Sequence, residues 1–184
     1  MADPDDRPGD DVDDTSPITI EPVDAAAIDA LVDLWIDLAA GQRAHGSHIL
    51  PEPNRESVRD TLARHAVVDE VRAARHDGTP VGFVSFALER GAYESDETRG
   101  IVHNIYVVPE YRDRGIGSDL LAAAESALAD AGASVVALEA MAANDEARRF
   151  YRARGYAPHR VELETRVDGG APASGENDTH SKED

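Results

Sequence analysis

The chain has 184 residues, no cysteine, and 37 acidic against 18 basic groups, for a formal net charge of −19. That length suits one domain, and the missing cysteines exclude disulfides, cysteine-zinc sites and a thiol nucleophile. The strongly negative field and the lack of a basic patch exclude general affinity for nucleic acid.

The N-terminus carries no apolar signal core, and no apolar run approaches the roughly 18 residues of a membrane span. The expectation is therefore a cytoplasmic protein that does not engage a membrane. Lys182 is the only lysine, and Asp and Ala are abundant. This composition resembles proteins of salt-accumulating halophiles. At molar salt the Debye length falls to about 3 Å, so self-repulsion between acidic groups is screened.

Residues 1–16 are rich in Asp, Pro and Gly, and 168–184 in Gly, Ser and charge. Both are expected to be disordered acidic tails around a domain at 17–167. Ile18 to Pro22 alternates like a first strand. From Ala25 to about Ala40, Ile28, Leu31, Leu34, Trp35 and Leu38 recur at three- and four-residue steps, the pattern of an amphipathic helix. Gly41, His45, Gly46, His48, Pro51 and Pro53 mark a loop over 41–54. Glu56 to Val67 reads as a second helix. Val71 to His76 and Pro80 to Arg90 read as strands joined at the hairpin signal Asp77-Gly78.

Gly91 to Gly100 is a polar loop, and a strand follows through Val108. After a turn, Ile116, Leu120, Leu121, Ala124, Leu128 and Ala131 trace one helix face, and Gly132 suits the position just past its end. Ser134 to Met141 reads as a strand. Asn144 is a good N-cap for a helix through Phe150 and Tyr151 that ends near Gly155. Val161 to Val167 alternates as a last strand. The order predicts an α/β fold with one mixed, mostly antiparallel sheet of six to seven strands and helices on both faces.

The most informative stretch is Asn104 to Ser118. A β-branched strand stops at Pro109, then Arg112-x-x-Gly115-x-Gly117 leads into a helix. Glycines let backbone approach closely, and a helix start offers N–H groups without intrahelical partners. The turn is either a phosphate cradle or simply a tight strand-to-helix connection. It lacks the Lys-Ser/Thr of a P-loop and the third glycine of a dinucleotide fingerprint.

Two segments together resemble the GNAT superfamily of N-acetyltransferases. Val108-Pro-Glu-Tyr-Arg-Asp-Arg-Gly-Ile-Gly117 resembles the family's pyrophosphate loop. Asn144-Asp-Glu-Ala-Arg-Arg-Phe-Tyr-Arg-Ala-Arg-Gly-Tyr156 resembles its Asn-x6-Tyr-x3-Gly-aromatic segment. The resemblance covers roughly 18–165 in element order and is strongest over 101–156.

The resemblance implies acetyl-CoA as co-substrate and a primary amine as acceptor: a peptide N-terminus, a lysine or a small molecule. It implies direct transfer in a ternary complex, with no metal. A non-catalytic acyl-CoA-binding domain on the same fold is the alternative. A homodimer is compatible with either. The pyrophosphate would meet the N–H groups of Arg114, Gly115, Ile116, Gly117, Ser118 and Asp119, beside Arg112. Asp119 departs from the neutral or basic residue usual there. The pantetheine arm would pair with Tyr106, Val107 and Val108, where a family bulge parts two strands, and Asn144 would contact the cofactor. The Val107 N–H would hold the oxyanion.

Tyr151 would protonate the thiolate, since a phenol with a reference pKa of about 10 keeps its proton at neutral pH. Two bases compete. Glu139 stands where ribosomal-protein alanine N-acetyltransferases carry a catalytic glutamate. His103, with Asn104, stands where other members carry acids acting through water. Glu89 is a weaker third. His45 and His48 lie in the loop expected to overhang the acceptor.

Overall fold

The computed structural model describes residues 16–91 and 94–167. The acidic tails expected at 1–16 and 168–184 lie outside the described residues, apart from Ser16. The chain divides into two compact units, one through Asp145 and one from Glu146. The elements are β1 (Thr19–Pro22), α1 (Ile28–Arg43), α2 (Arg55–Val67), β2 (Val71–His76), β3 (Thr79–Leu88), β4 (Arg99–Val107), α3 (Ile116–Asp130), β5 (Val135–Leu138) and α4 (Asp145–Arg152). Short 3-10 turns precede α1 and α2 and follow β4.

The first unit is built on one sheet in the order β1-β2-β3-β4-β5. Three neighbouring pairs are antiparallel, and β4 with β5 is parallel. The β2–β3 hairpin turns through Asp77 and Gly78 at φ 48° and 76°. Two positive φ angles in a two-residue loop match the right-handed twist of the strands, and the Asp-Gly pair is suited to them.

Helices cover both faces. Phe83 packs with Ile28, Leu31, Val32 and Leu62 of α1 and α2. On the neighbouring residue, a Cβ at Gly82 would lie 3.3 Å from Leu120 of α3, and one at Gly100 would lie 2.7 Å from Leu128. Successive strand residues point to opposite faces, so α3 lies on the face away from α1 and α2. Its stripe of Ile116, Leu120, Leu121, Ala124 and Leu128 is buried as the periodicity predicts. Each large side chain there contributes about 1.5–3 kcal/mol of transfer free energy. Gly132 ends α3 at φ 96°. Its N–H donates to Ala129 and that of Ala133 to Leu128, the paired bonds of a Schellman cap.

Two expectations are corrected. Among the described residues the sheet has five strands, not six or seven, and Val161 to Val167 forms none. Val161, Leu163 and Val167 are 79 %, 88 % and 100 % exposed. Alternation reports only a local preference for pairing, and no strand forms over 161–167. The strand expected over Ser134 to Met141 spans only Val135–Leu138, so Glu139 lies just beyond its end.

Candidate functional site

β4 and β5 pair from Arg99↔Val135 to Val102↔Leu138 and no further. β4 continues to Val107, so its second half has an open edge on the β5 side. The parting coincides with a bulge. Ser85 pairs with Asn104 and Phe86 with Val102, leaving His103 as an extra residue on β4. A bulge bends its strand and turns two consecutive side chains to one face. His103 meets His65 of α2, with ring centroids 5.7 Å apart. Asn104 meets α1, accepting from Trp35 Nε1 at 3.1 Å. Its amide nitrogen donates to the buried Ser85 Oγ at 2.9 Å, which fixes the amide's orientation. Neither Trp35 nor Ser85 was legible as a site residue, although a core indole N–H signals the need for a partner.

The direction of the open edge follows from strand geometry. Val108 N–H donates to Val81 O of the adjoining strand at 2.9 Å. N–H groups alternate sides along a strand, so that of Val107 points away from β3, into the gap left by β5. The Val107 carbonyl faces the same way and accepts from Arg112 Nε at 3.1 Å. The Arg112 guanidinium also lies 5.7 Å from the Tyr106 ring centroid. Burial and the Asp37 carboxylate raise the Tyr106 phenol above its ordinary pKa, so it stays neutral.

Beyond Val108, the chain makes a 3-10 turn over Pro109–Tyr111 and reaches Gly115 at φ 85°. That left-handed conformation is the reason for glycine there. Gly115 caps α3, and its carbonyl accepts from Ser118 N at 2.8 Å and Asp119 N at 3.1 Å. Those two N–H groups are engaged within the helix. Asp119 lies exposed in the first turn of α3, where the helix dipole favours a carboxylate. Tyr111 braces this loop: its hydroxyl is 2.8 Å from Nδ1 of the buried His76, and the Arg114 guanidinium lies 5.1 Å from its ring centroid.

The bases expected from sequence are both near the bulge. Glu139 is exposed past β5. His103 has an exposed edge, yet burial of its ring and the neighbouring His65 lower its pKa from 6.5, against smaller opposing effects of Glu70 and Glu139. The neutral imidazole is thus favoured at neutral pH. Glu89 is instead engaged by Arg99 at 2.7 Å, on the outer part of β4. The loop holding His45 and His48 passes beside the end of β5, since a Cβ at Gly46 would lie 3.8 Å from Met141 Cε.

Asn144 immediately precedes α4, and its N–H donates to Met141 O at 2.9 Å. In the second unit, Tyr151 lies between the rings of Phe150 and Tyr156, at centroid distances of 5.2 and 5.9 Å. Burial pushes its phenol up to about 12. Among the described residues, no group of three His, Cys, Asp or Glu could hold a metal, and no helix is long and apolar enough to cross a membrane. A shallow depression at Glu21, Asp24 and Arg75 lies at the far β1 edge and includes none of the residues above.

Residues 30–156 match the family model described as the Acetyltransferase (GNAT) family. An uncharacterized N-acetyltransferase of Archaeoglobus fulgidus is 34 % identical over 83 residues, covering 45 % of this chain and 56 % of that protein. An aminoalkylphosphonate N-acetyltransferase of Salmonella typhimurium is 31 % identical over 107 residues, 57 % of this chain and 69 % of that one. The chain thus spans little more than half the length of the first of these relatives. Among solved structures, a GCN5-related N-acetyltransferase from Ralstonia eutropha has a TM-score of 0.66 at 20 % identity, covering 83 % of this chain and all of that one. An aminoglycoside N-acetyltransferase solved with CoA also has a TM-score of 0.66, at 18 % identity, covering 85 % and 99 %. These structures share its fold.

Proposed function

Because the chain belongs to the GNAT family of acetyltransferases, we propose that it transfers an acetyl group from acetyl-CoA to a primary amine, directly and in a ternary complex. The observation that carries this reading is the open edge of β4 beyond Val102, with the Val107 N–H directed into it. A pantetheine arm, which carries amides, has a ladder to join there. The thioester oxygen has a fixed N–H donor where negative charge develops. The loop N–H groups from Arg114 to Gly117, next to Arg112, suit a pyrophosphate.

Each catalytic need has a residue matched to it. The acceptor enters as an ammonium and must lose a proton; His103, favoured neutral, and Glu139 can take it. The leaving thiolate must gain one; Tyr151, whose proton is retained to about pH 12, can supply it. Asn144 contacts the cofactor in this reading. The acceptor is a peptide N-terminus, a lysine or a small amine. An α-amine, with a reference pKa of about 7.7–8, needs less from the base than a lysine near 10.4.

The sequence composition supports a cytoplasm rich in salt, where acidic groups serve solubility. In that setting the net charge of −19 favours a cationic acceptor only weakly. The test is thiol release from acetyl-CoA with a panel of amines in molar KCl. Amine-dependent release is expected. Tight binding of acetyl-CoA without release by any amine would instead assign the chain to the acyl-CoA-binding domains.

A further inference from the structure

His65 and Glu70 lie outside both family-like motifs, yet the fold brings them to the candidate base. His65 stands in the last turn of α2, and Glu70 leads into β2. The two are tied twice. Glu70 N–H donates to the His65 carbonyl at 2.8 Å, and the Glu70 carboxylate lies 2.7 Å from His65 Nδ1. The contact at Nδ1 fixes the orientation of the His65 ring. The side chains are 20 % and 29 % exposed, so the pair is shielded from water but can exchange protons with it. The His65 ring lies 5.7 Å from that of His103, tilted by 50°. The His103 side chain reaches it because the bulge turns His103 and Asn104 to the same face. Three titratable groups act on His103: His65 from α2, Glu70 from the approach to β2, and Glu139 from the end of β5.

We propose that His65, anchored by Glu70, is a positioning residue for acetyl transfer: it sets whether His103 is charged, and so the pH above which the imidazole can accept a proton from the acceptor ammonium. The inference rests on the transferase reading above. In the step, an ammonium N–H bond breaks and its electron pair stays on nitrogen, while the proton passes through His103 to solvent. The amine forms the C–N bond to the acetyl carbon as the C–S bond breaks. The second N–H proton, lost on forming the amide, balances the one that Tyr151 gives to the thiolate. Positive charge at His65 opposes a proton on His103 across the 5.7 Å between the rings, and the contact with Glu70 holds the His65 ring in place.

The experiment follows the His103 ring protons by NMR between about pH 5 and 8 in the full chain, where an unperturbed imidazole titrates. His65→Gln removes the cation and should raise the His103 midpoint. His65→Arg keeps a permanent cation on Glu70 and should hold the midpoint at or below that of the wild type. A role of His65 in packing alone would move both variants alike. An unchanged midpoint in His65→Gln, or a rise in both variants, overturns the proposal. The acid limb of kcat/KM should move with the midpoint in His65→Gln. A limb that stays while the midpoint moves removes His103 as the base, and with it the role of His65 in transfer. If the wild type turns over no amine, the transferase reading fails, while the NMR midpoints still decide the charge coupling.

Discussion

Burial holds the Tyr151 phenol protonated to about pH 12, which suits an acid and not a base. Tyr151→Phe should lower kcat by about 10²–10⁴-fold and leave the affinity for acetyl-CoA nearly intact, as measured by steady-state kinetics and calorimetry. Unchanged turnover would remove Tyr151 from the mechanism. The same shift links to stability. The unfolded phenol ionises near 10.0 and the folded one at about 12, so this contribution is complete below 10.0 and is lost as the pH rises through that window. Denaturant midpoints in Tyr151→Phe should therefore fall less steeply above pH 10.0 than those of the wild type. His103 is shifted in the opposite sense from Tyr151, below 6.5. The acid limb of the wild-type pH–rate profile should accordingly lie below that value. Glu139→Gln flattens the limb if Glu139 is the base, and His103→Gln does so if His103 is.

At the scale of elements, the bulged β4 and the glycine loop have to be held in place, and close packing does so. A Cβ at Gly82 would stand 2.7 Å from the Tyr106 carbonyl oxygen, which is backbone and cannot rotate aside. Gly82→Ala should therefore push β3 from β4, lowering the melting temperature and weakening acetyl-CoA binding together. A melting temperature equal to the wild type's would show that the strand yields without cost. Tyr111→Phe removes the bond to His76 and should cost about 1 kcal/mol of stability by denaturant titration, with a higher KM for acetyl-CoA and little change in kcat. These elements were largely legible in the sequence, for physical reasons. Helices α1 and α3 declare themselves through apolar steps of three and four residues, and the hairpin through Asp77-Gly78. The bulge at His103 was not legible, because an extra residue in a β-branched run leaves the local pattern unchanged. The Trp35–Asn104–Ser85 chain, and the approach of the neighbouring His65 and Glu70 to His103, join residues far apart in sequence, and no spacing marks them. The strand expected at Val161 to Val167 failed for the converse reason: alternation reports local preference, while pairing needs a neighbour.

At the scale of the whole molecule, charge and ligand binding set the conditions of stability. A net charge of −19 with one lysine implies self-repulsion that salt relieves. The melting temperature should rise steeply between dilute buffer and molar KCl; a flat response would contradict the halophilic reading. Surface pairs such as Arg59 with Asp29 at 2.6 Å weaken over the same range, so a rise would be due to relieved repulsion. Acetyl-CoA at a hundred times its Kd should add about 2.7 kcal/mol if it binds only the folded chain. The site itself is tested most directly by mapping backbone amide shifts as acetyl-CoA is added to the full chain. Perturbations should centre on Val107, Val108 and the N–H groups from Arg114 to Gly117, with Asn144 among the responding residues. Saturable binding that leaves those amides unmoved, or that maps to the β1 edge near Glu21 and Arg75, would contradict it.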